Sequence, residues 1–377
     1  MGVTWRVLAL SLLCWDLCSS VDKITCRDKN GVGVDWYVLY KVPKLNNYKF
    51  TGLEYVYIGP GTSEWHTPIN DAKSALAHTL EPLLTWKSPT PDFGFISYND
   101  QPAGCNADKS FGHSKGVVMM DKTTGVWLLH STPHFPYDRK QKVIWPKSGA
   151  VNGQTFICVT LPYKTFNEIG KHLQQIRAFS FDYDIPADFH TSLQDVVKRK
   201  FAKPMDPFLV QDLTSRGGHK FKSFAKYSSG IKNAKDLYFR IAKILDSDVL
   251  VQSWRGSKTD VSDPNSDSDS DCSMEGKAIN TVENIVMTVP QGSKRIKASW
   301  TDCNDHSKWC VTEDERKPLW TCISDLNRAL SQDERPGGAL CIEGSEVRKE
   351  FKAFIDYKKD CPDKKPRGVS PSRLTSF

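Results

Sequence analysis

The chain writes one pattern twice. "HSKGVVMMDKTTGVWLLHS" runs from His113 to Ser131, and "HSKWCVTEDERKPLWTCIS" runs from His306 to Ser324. Without a gap the copies match at His113/His306, Ser114/Ser307, Lys115/Lys308, Asp121/Asp314, Trp127/Trp320 and Ser131/Ser324. A single His-x-Lys carries little information. Two copies with matched flanks, one in each half of a 377-residue chain, predict a duplicated fold whose halves meet at a shared cleft.

The first copy opens as a strand pair, the apolar runs "GVVMMD" and "VWLLHS" being joined by the turn-forming "KTTG". In a strand, residues i and i+2 project from one face, so His113 and Lys115 aim at one target while Ser114 points away. His306 and Lys308 are expected to do the same. Two imidazoles and two ammoniums brought together repel unless an anion lies between them. A phosphodiester meets that demand: the lysines hold its nonbridging oxygens, one imidazole attacks phosphorus, and the other protonates the departing oxygen. The second imidazole then activates the water that cleaves a phospho-histidine intermediate. Because the lysines supply the charge stabilisation a divalent ion would otherwise give, no metal or other cofactor is expected. His130 stands where the second copy has Ile323, and reads either as an aid to the phosphate or nucleophile, or as an interior histidine. Ser131, Ser324 and Asn327, at the ends of the two copies, are further candidates for support of the site. Trp127 and Trp320 read as matched core residues.

With 39% hydrophobic residues the chain can bury a large core. Arg6, the apolar run Val7 to Leu13 and small residues at Ser19 and Ser20 read as a secretory signal peptide over residues 1–20. No later stretch reaches the roughly eighteen apolar residues of a membrane span. The formal charge is +7 with neutral histidines, and protonating all nine more than doubles it, so the field favours polyanions most strongly in acid. Eleven cysteines fall to nine when Cys14 and Cys18 leave with the leader, and an exported chain oxidises most of them. No C-x2-C pair points to zinc.

Residues 21–200 are expected to form the half with the first His-x-Lys, and residues 201–361 the half with the second. "VDWYVLYKVP" and "DFGFISYNDQP" read as strands, the latter breaking into a polar turn; Tyr163 to Ala178 and Lys232 to Leu245 read as helices. The acidic low-complexity run Ser262 to Cys272 reads as a surface loop without the ordered ligand spacing of a calcium site. Residues 362–377 read as a basic flexible tail.

The paired His-x-Lys motifs resemble the phospholipase D superfamily, where an Asp follows the Lys after four residues; here Asp121 and Asp314 follow after five. A closer resemblance, spread over nearly the whole mature chain, is to the deoxyribonuclease II family. "VDWYVLYKVP", "YNDQP", "GHSKGVVMMD", "WLLHSTPHFP", "SFAKYS", "DLY", "DHSKWCV" and "WTCISDLNR" carry it. The resemblance implies a phospholipase D-like α+β fold, two mixed sheet-and-helix halves around a basic cleft, in a monomer or homodimer. It also implies metal-independent hydrolysis of double-stranded DNA at acidic pH to 3′-phosphate ends, and active-site histidines at His113, His130 and His306. By superfamily analogy His113 is the nucleophile and His306 the general acid. The same resemblance implies the bridges Cys26–Cys158, Cys272–Cys361 and Cys322–Cys341. Cys105 and Cys303, each just before a His-Ser-Lys, are expected to pair if the motifs face one another, leaving Cys310 as the free thiol. Two features depart from the family: His134 stands where Asn is expected, and the chain has no Asn-x-Ser/Thr acceptor, so plain secretion competes with the lysosome. The rival readings are a phospholipase or other phosphodiesterase with the same His-Lys chemistry, and a secreted DNA-binding or toxic protein without turnover.

Overall fold

The computed structural model describes residues 24–201, 204–227, 236–254 and 272–360. The leader, the acidic run 262–271, Cys361 and the tail lie outside the described residues. The small strands β1 (Cys26–Arg27) and β2 (Gly33–Val34) pair as a ribbon ahead of a mixed α+β body. Strands β3 (Trp36–Lys41), β4 (Tyr55–Gly59), β5 (Thr62–His66), β6 (Gly94–Asn99), β7 (Lys115–Met120), β8 (Thr124–His130), β9 (Gln154–Pro162) and β10 (Ser180–Asp184) form the first sheet. Its order is β10-β6-β7-β8-β9-β3-β4-β5. The second sheet takes β11 (Phe208–Thr214), β12 (Lys220–Lys226), β13 (Val249–Gln252), β14 (Ser273–Met274), β15 (Lys277–Gln291), β16 (Lys294–Thr301), β17 (Trp309–Thr312), β18 (Trp320–Ser324), β19 (Gly337–Glu343) and β20 (Ile355–Lys359). It runs β11-β12-β19-β18-β17-β13-β15-β14, with β16 and β20 also pairing β15.

The period of two along each strand assigns side chains to layers. In β3, Trp36, Val38 and Tyr40 point to a central core shared with Trp309, Val311, Ile323 and Leu340 of the second sheet. Tyr37 and Leu39 point the other way, to a core closed by α1 (Ala75–Thr85). The helices α2 (Phe166–Gln175), α3 (Thr191–Val197) and α6 (Ser345–Ala353) contribute to the central core through Phe166, Leu173, Leu193, Val196 and Phe351. The outer face of the second sheet is covered by α4 (Leu237–Ile244). α5 (Leu330–Asp333) is a single turn ahead of β19. Because the motif strands are buried on both faces, each runs nearly apolar from end to end, as "GVVMM" does.

The expected strands and helices appear in shortened form. "VDWYVLYKVP" gives β3, "DFGFISYNDQP" gives β6, Tyr163 to Ala178 contracts to α2, and Leu237–Ile244 of the second helical stretch forms α4, residues 232–235 lying outside the described residues. Cys26 is joined to Cys158 and Cys322 to Cys341. Cys272 is disulfide-bonded, its expected partner Cys361 lying outside the described residues. The expected Cys105–Cys303 bridge does not form: both thiols are exposed. The reason is where their loops are anchored. Ala107 N bonds back to Asp100 O at the end of β6, whereas Asn304 O holds Gly153 N at the start of β9. Cys310 is a buried thiol, facing Cys322 across the β17–β18 ladder.

Candidate active site

β7 begins at Lys115 and β17 just after Lys308, so both His-x-Lys segments sit where a strand of each sheet emerges. Each is held there by the other sheet's loop. His113 N donates to Pro336 O, just before β19, and His306 N donates to Gly153 O, just before β9, both at 2.9 Å. Those loops are themselves fastened by buried lysines. Lys41, fully buried at the end of β3, donates to Ala150 O and Asn152 O, and Lys226, at the end of β12, donates to Gln332 O and Asp333 O. Gly153 is required by close approach: a Cβ there would lie 2.5 Å from Asp305 Oδ1. Asp305 in turn accepts from Tyr40 Oη, Trp300 Nε1 and Ser307 N, which locks the residue preceding His306.

Asp100, one residue past β6, binds both partners of the first motif. His113 Nδ1 lies 2.7 Å from its Oδ2, Lys115 Nζ donates to its Oδ1, and Arg335 Nη2 reaches Oδ2 at 3.3 Å. One carboxylate holding both residues shows that His113 and Lys115 share a face, as their i, i+2 spacing requires. Burial alone would raise the Asp100 pKa, but the Lys115 ammonium and His113 hold it far below the usual carboxylate range. With Nδ1 committed to Asp100, His113 keeps Nε2 for chemistry. No carboxylate bonds the His306 ring among the described residues; its neighbour is the Trp254 ring, 5.0 Å away between centroids. Lys308 Nζ donates to His306 O at 2.9 Å.

The two motifs converge. Burial first, then Lys115, pushes His113 down to about 3, with Lys308 of the other sheet adding to the shift. Burial and Lys308 push His306 down to about 3 as well, and Lys115 and His113 contribute across the cleft. Lys308, desolvated and facing Lys115, falls to about 7. Four basic groups crowd one spot, and a bound anion would oppose the depression of His113, His306 and Lys308.

A second buried carboxyl lies beside the lysines. Asp325, 4% exposed, accepts Gly338 N–H at 3.0 Å through Oδ2, while Oδ1 has no hydrogen-bond partner among the described residues. Burial lifts its pKa to about 8, against the pull of the Gly338 N–H and Lys115. An unsatisfied buried oxygen is accommodated when it carries the proton. The folded state therefore keeps a proton that the unfolded chain releases near pH 4, so stability is lost as pH rises from about 4 to 8. Asp325→Asn is expected to melt progressively higher relative to the unaltered protein as pH rises across that window. A melting-temperature difference that stays constant from pH 4 to 8 would contradict a protonated Asp325.

The remaining candidates fall around this centre. His130 is buried between Phe135 and Phe156; its Nδ1 accepts Thr132 N–H, Nε2 has no partner among the described residues, and burial and Lys115 depress its pKa. Ser131 is tied to Gln154 and Ser324 to Gly338 O, while Asn327 Oδ1 is buried without a partner among the described residues. The repeated aspartates stand apart: Asp121 accepts Thr123 N and Thr124 N in the β7–β8 turn, and Asp314 pairs with Arg316. Trp127 and Trp320 are buried, Trp127 Nε1 donating to Tyr98 Oη. His134, at φ 63°, contacts Ser148 Oγ. Asp100 and Asp325 escaped sequence reasoning, although "YNDQP" and "CISDLN" had singled out their segments.

Among the described residues no group of three His, Cys, Asp or Glu is placed to hold a metal ion, and no helix is long and apolar enough to cross a membrane. The Deoxyribonuclease II family profile matches residues 25–361. Human deoxyribonuclease-2-beta is 31% identical over 90% of this chain and 92% of its own length. Pig deoxyribonuclease-2-alpha is 33% identical over 98% of each chain, and plancitoxin-1 of Acanthaster planci is 29% identical over 95% of this chain and 98% of its own. Among solved structures, yeast tyrosyl-DNA phosphodiesterase aligns over 62% of this chain and 68% of its own with 10% identity and a TM-score of 0.29, a likeness too low to argue from. With a family match spanning nearly all of the described chain and relatives covered almost end to end, this protein belongs to the deoxyribonuclease II family.

Proposed function

We propose that this deoxyribonuclease cuts double-stranded DNA by a two-step, metal-independent phosphoryl transfer to His113, working best in acid. The observation that carries the reading is the convergence of His113, Lys115, His306 and Lys308, two from each sheet, with each histidine's backbone pinned by the opposite sheet's loop. In the first step His113 Nε2 attacks phosphorus, the bond to the 5′-oxygen breaks, and His306 gives that oxygen its proton. Lys115 and Lys308 hold the nonbridging oxygens as charge builds. In the second step His306, now neutral, takes a proton from water; the hydroxide displaces His113 and leaves a 3′-phosphate. The asymmetry of the site supports this order of roles, since of its two motif histidines only His113 has, among the described residues, a carboxylate orienting its ring.

Matched strand orders around the motifs, β6-β7-β8-β9-β3 and β13-β17-β18-β19-β12, support reading residues 21–200 and 201–361 as pseudo-symmetric halves of the phospholipase D kind. The leader over residues 1–20 would route the protein to secretion or the lysosome, and nothing in the chemistry requires more than a monomer or homodimer.

The acid step needs a protonated imidazole, while both pKa values are depressed in the free protein. Activity is therefore expected to climb as pH falls from 7 toward 5, DNA phosphate restoring protonation at His306. The same linkage sets stability: a histidine with a depressed folded pKa costs stability as pH falls below its unfolded value near 6.5, so a phosphate or polyphosphate ligand should raise the melting temperature more at pH 5 than at pH 7. The decisive assay incubates the protein with plasmid DNA, RNA and phosphatidylcholine at pH 5 in excess chelator. Plasmid cleavage to 3′-phosphate ends supports the proposal. Activity that appears only with magnesium, or that prefers the phospholipid, overturns it.

A further inference from the structure

Two helices end on arginine in the same unusual backbone state. Past the C-caps of α2 and α3, Arg177 and Arg199 adopt φ 50° and 55°, the left-handed conformation that glycine accepts most readily. Neither helix needs an arginine there to end; glycine would serve the turn better. What the two side chains share is a set of rings. The Arg177 guanidinium lies 5.9 Å from the Phe111 centroid and 5.4 Å from Phe201, and that of Arg199 lies 5.5 Å from Phe111 and 4.7 Å from Phe179. Phe111 stands edge-on to Phe179 at 5.0 Å and to Phe201 at 6.1 Å.

Rings that flank a guanidinium restrict a long flexible side chain without using its hydrogen-bond donors. Among the described residues Arg177 commits only Nε, to Ser110 O at 2.8 Å, with Asp108 the carboxylate within its field. Among the described residues Arg199 bonds to no carboxylate or carbonyl through its side chain. Lys109, Lys198 and Lys200 are exposed on the same loops. This patch adjoins the reacting centre: Phe111 is two residues before His113, Gly112 N donates to Arg177 O, and Phe111 O accepts from the same Arg335 that reaches Asp100.

We infer that Arg177 and Arg199, propped on Phe111, Phe179 and Phe201, form a clamp for backbone phosphates of the DNA strand where it runs past His113. The inference rests on the reading of the cleft as a DNA-cutting site. It assigns the flanking contacts to planar, bidentate forks held in advance of binding, which suit phosphate oxygens better than mobile lysines do.

The test compares the full-length protein with Arg199→Gly and with the Arg177→Gly/Arg199→Gly pair, glycine being at ease at both φ values. Binding of a fluorescent duplex oligonucleotide is followed by anisotropy at pH 5 over a range of salt, alongside turnover of plasmid DNA and of bis(p-nitrophenyl) phosphate. The expected result for Arg199→Gly is an unreduced melting temperature and a Kd for DNA raised about 3- to 10-fold, with the slope of log Kd against log salt smaller by about one. The pair should show the larger change, while turnover of the small diester, which touches only the histidine and lysine centre, stays within about twofold. An unchanged Kd and salt slope in the pair overturns the clamp, as does equal loss on both substrates, which would mark a structural role. Because binding is read without turnover, a protein that binds but never cuts DNA overturns the proposed function and leaves the clamp to be judged on Kd alone.

Discussion

Replacing His306 by alanine is expected to slow DNA cleavage by roughly 10⁴-fold or more, because the leaving 5′-oxygen loses its acid and the second step loses its base. His113→Ala should be equally severe, since among the described residues no other imidazole in the cleft has Nε2 presented by a carboxylate as Asp100 presents that of His113. DNA affinity should change little in either variant: Lys115, Lys308 and the surrounding cations still meet phosphate. Removing both should cost scarcely more than removing one, as groups acting in one sequence of steps are not additive. The measurements are single-turnover cleavage and oligonucleotide binding at pH 5. A His306→Ala protein that cuts at near-normal rate would end the two-histidine mechanism. Trapped label on His113 in the His306→Ala protein would instead show the first step outlasting the second.

Asp100→Ala should have the next largest effect, on stability as well as on rate. The carboxylate faces His113, Lys115 and Arg335 at once, and Lys115 is only 4% exposed. Without it a buried ammonium and a guanidinium confront each other without a counter-charge, at a cost of about 3–5 kcal/mol. Asp100→Asn keeps the shape and loses the charge, so it should fold better yet turn over about 10²- to 10⁴-fold more slowly, its His113 ring no longer held in one tautomer. The pH dependence checks the cause. Asp100 has a depressed folded pKa, so its stabilisation is present above the unfolded value near 3.9 and is lost as pH falls through the folded one. The deficit of Asp100→Asn in denaturant titrations should be the same at pH 5 and 7 and should shrink below about pH 4. A deficit that vanished already at pH 6 would mean the carboxylate is not the charged partner described.

Much of the arrangement around the motifs was legible in the residues. The doubled His-Ser-Lys announced two strand ends whose basic groups meet, because the i, i+2 rule of a strand is a local fact that holds in any fold. The strands and helices around it could be read from apolar spacing, with ends trimmed where the last residues lie in turns. The partners of those charges could not. Asp100 lies thirteen residues before His113, and nothing in "YNDQP" says that its carboxylate turns back beneath the strand beside it. Asp121 and Asp314 carried the repeat and invited a role, yet they cap a turn and pair with an arginine on the surface, since hairpin geometry sends them to the far end from His113 and His306. The bridge between Cys105 and Cys303 failed for the same reason: nearness to a motif along the chain does not make two loops neighbours in space. The cross-pinning by Pro336 and Gly153, the lysines Lys41 and Lys226 beneath those loops, and the burial that raises the Asp325 pKa arise only when one sheet is laid against the other. Periodicity and charge pattern are properties of a segment, whereas a buried carboxyl's proton or a lysine's counter-charge is settled by whatever the other half of the chain brings within a few ångströms.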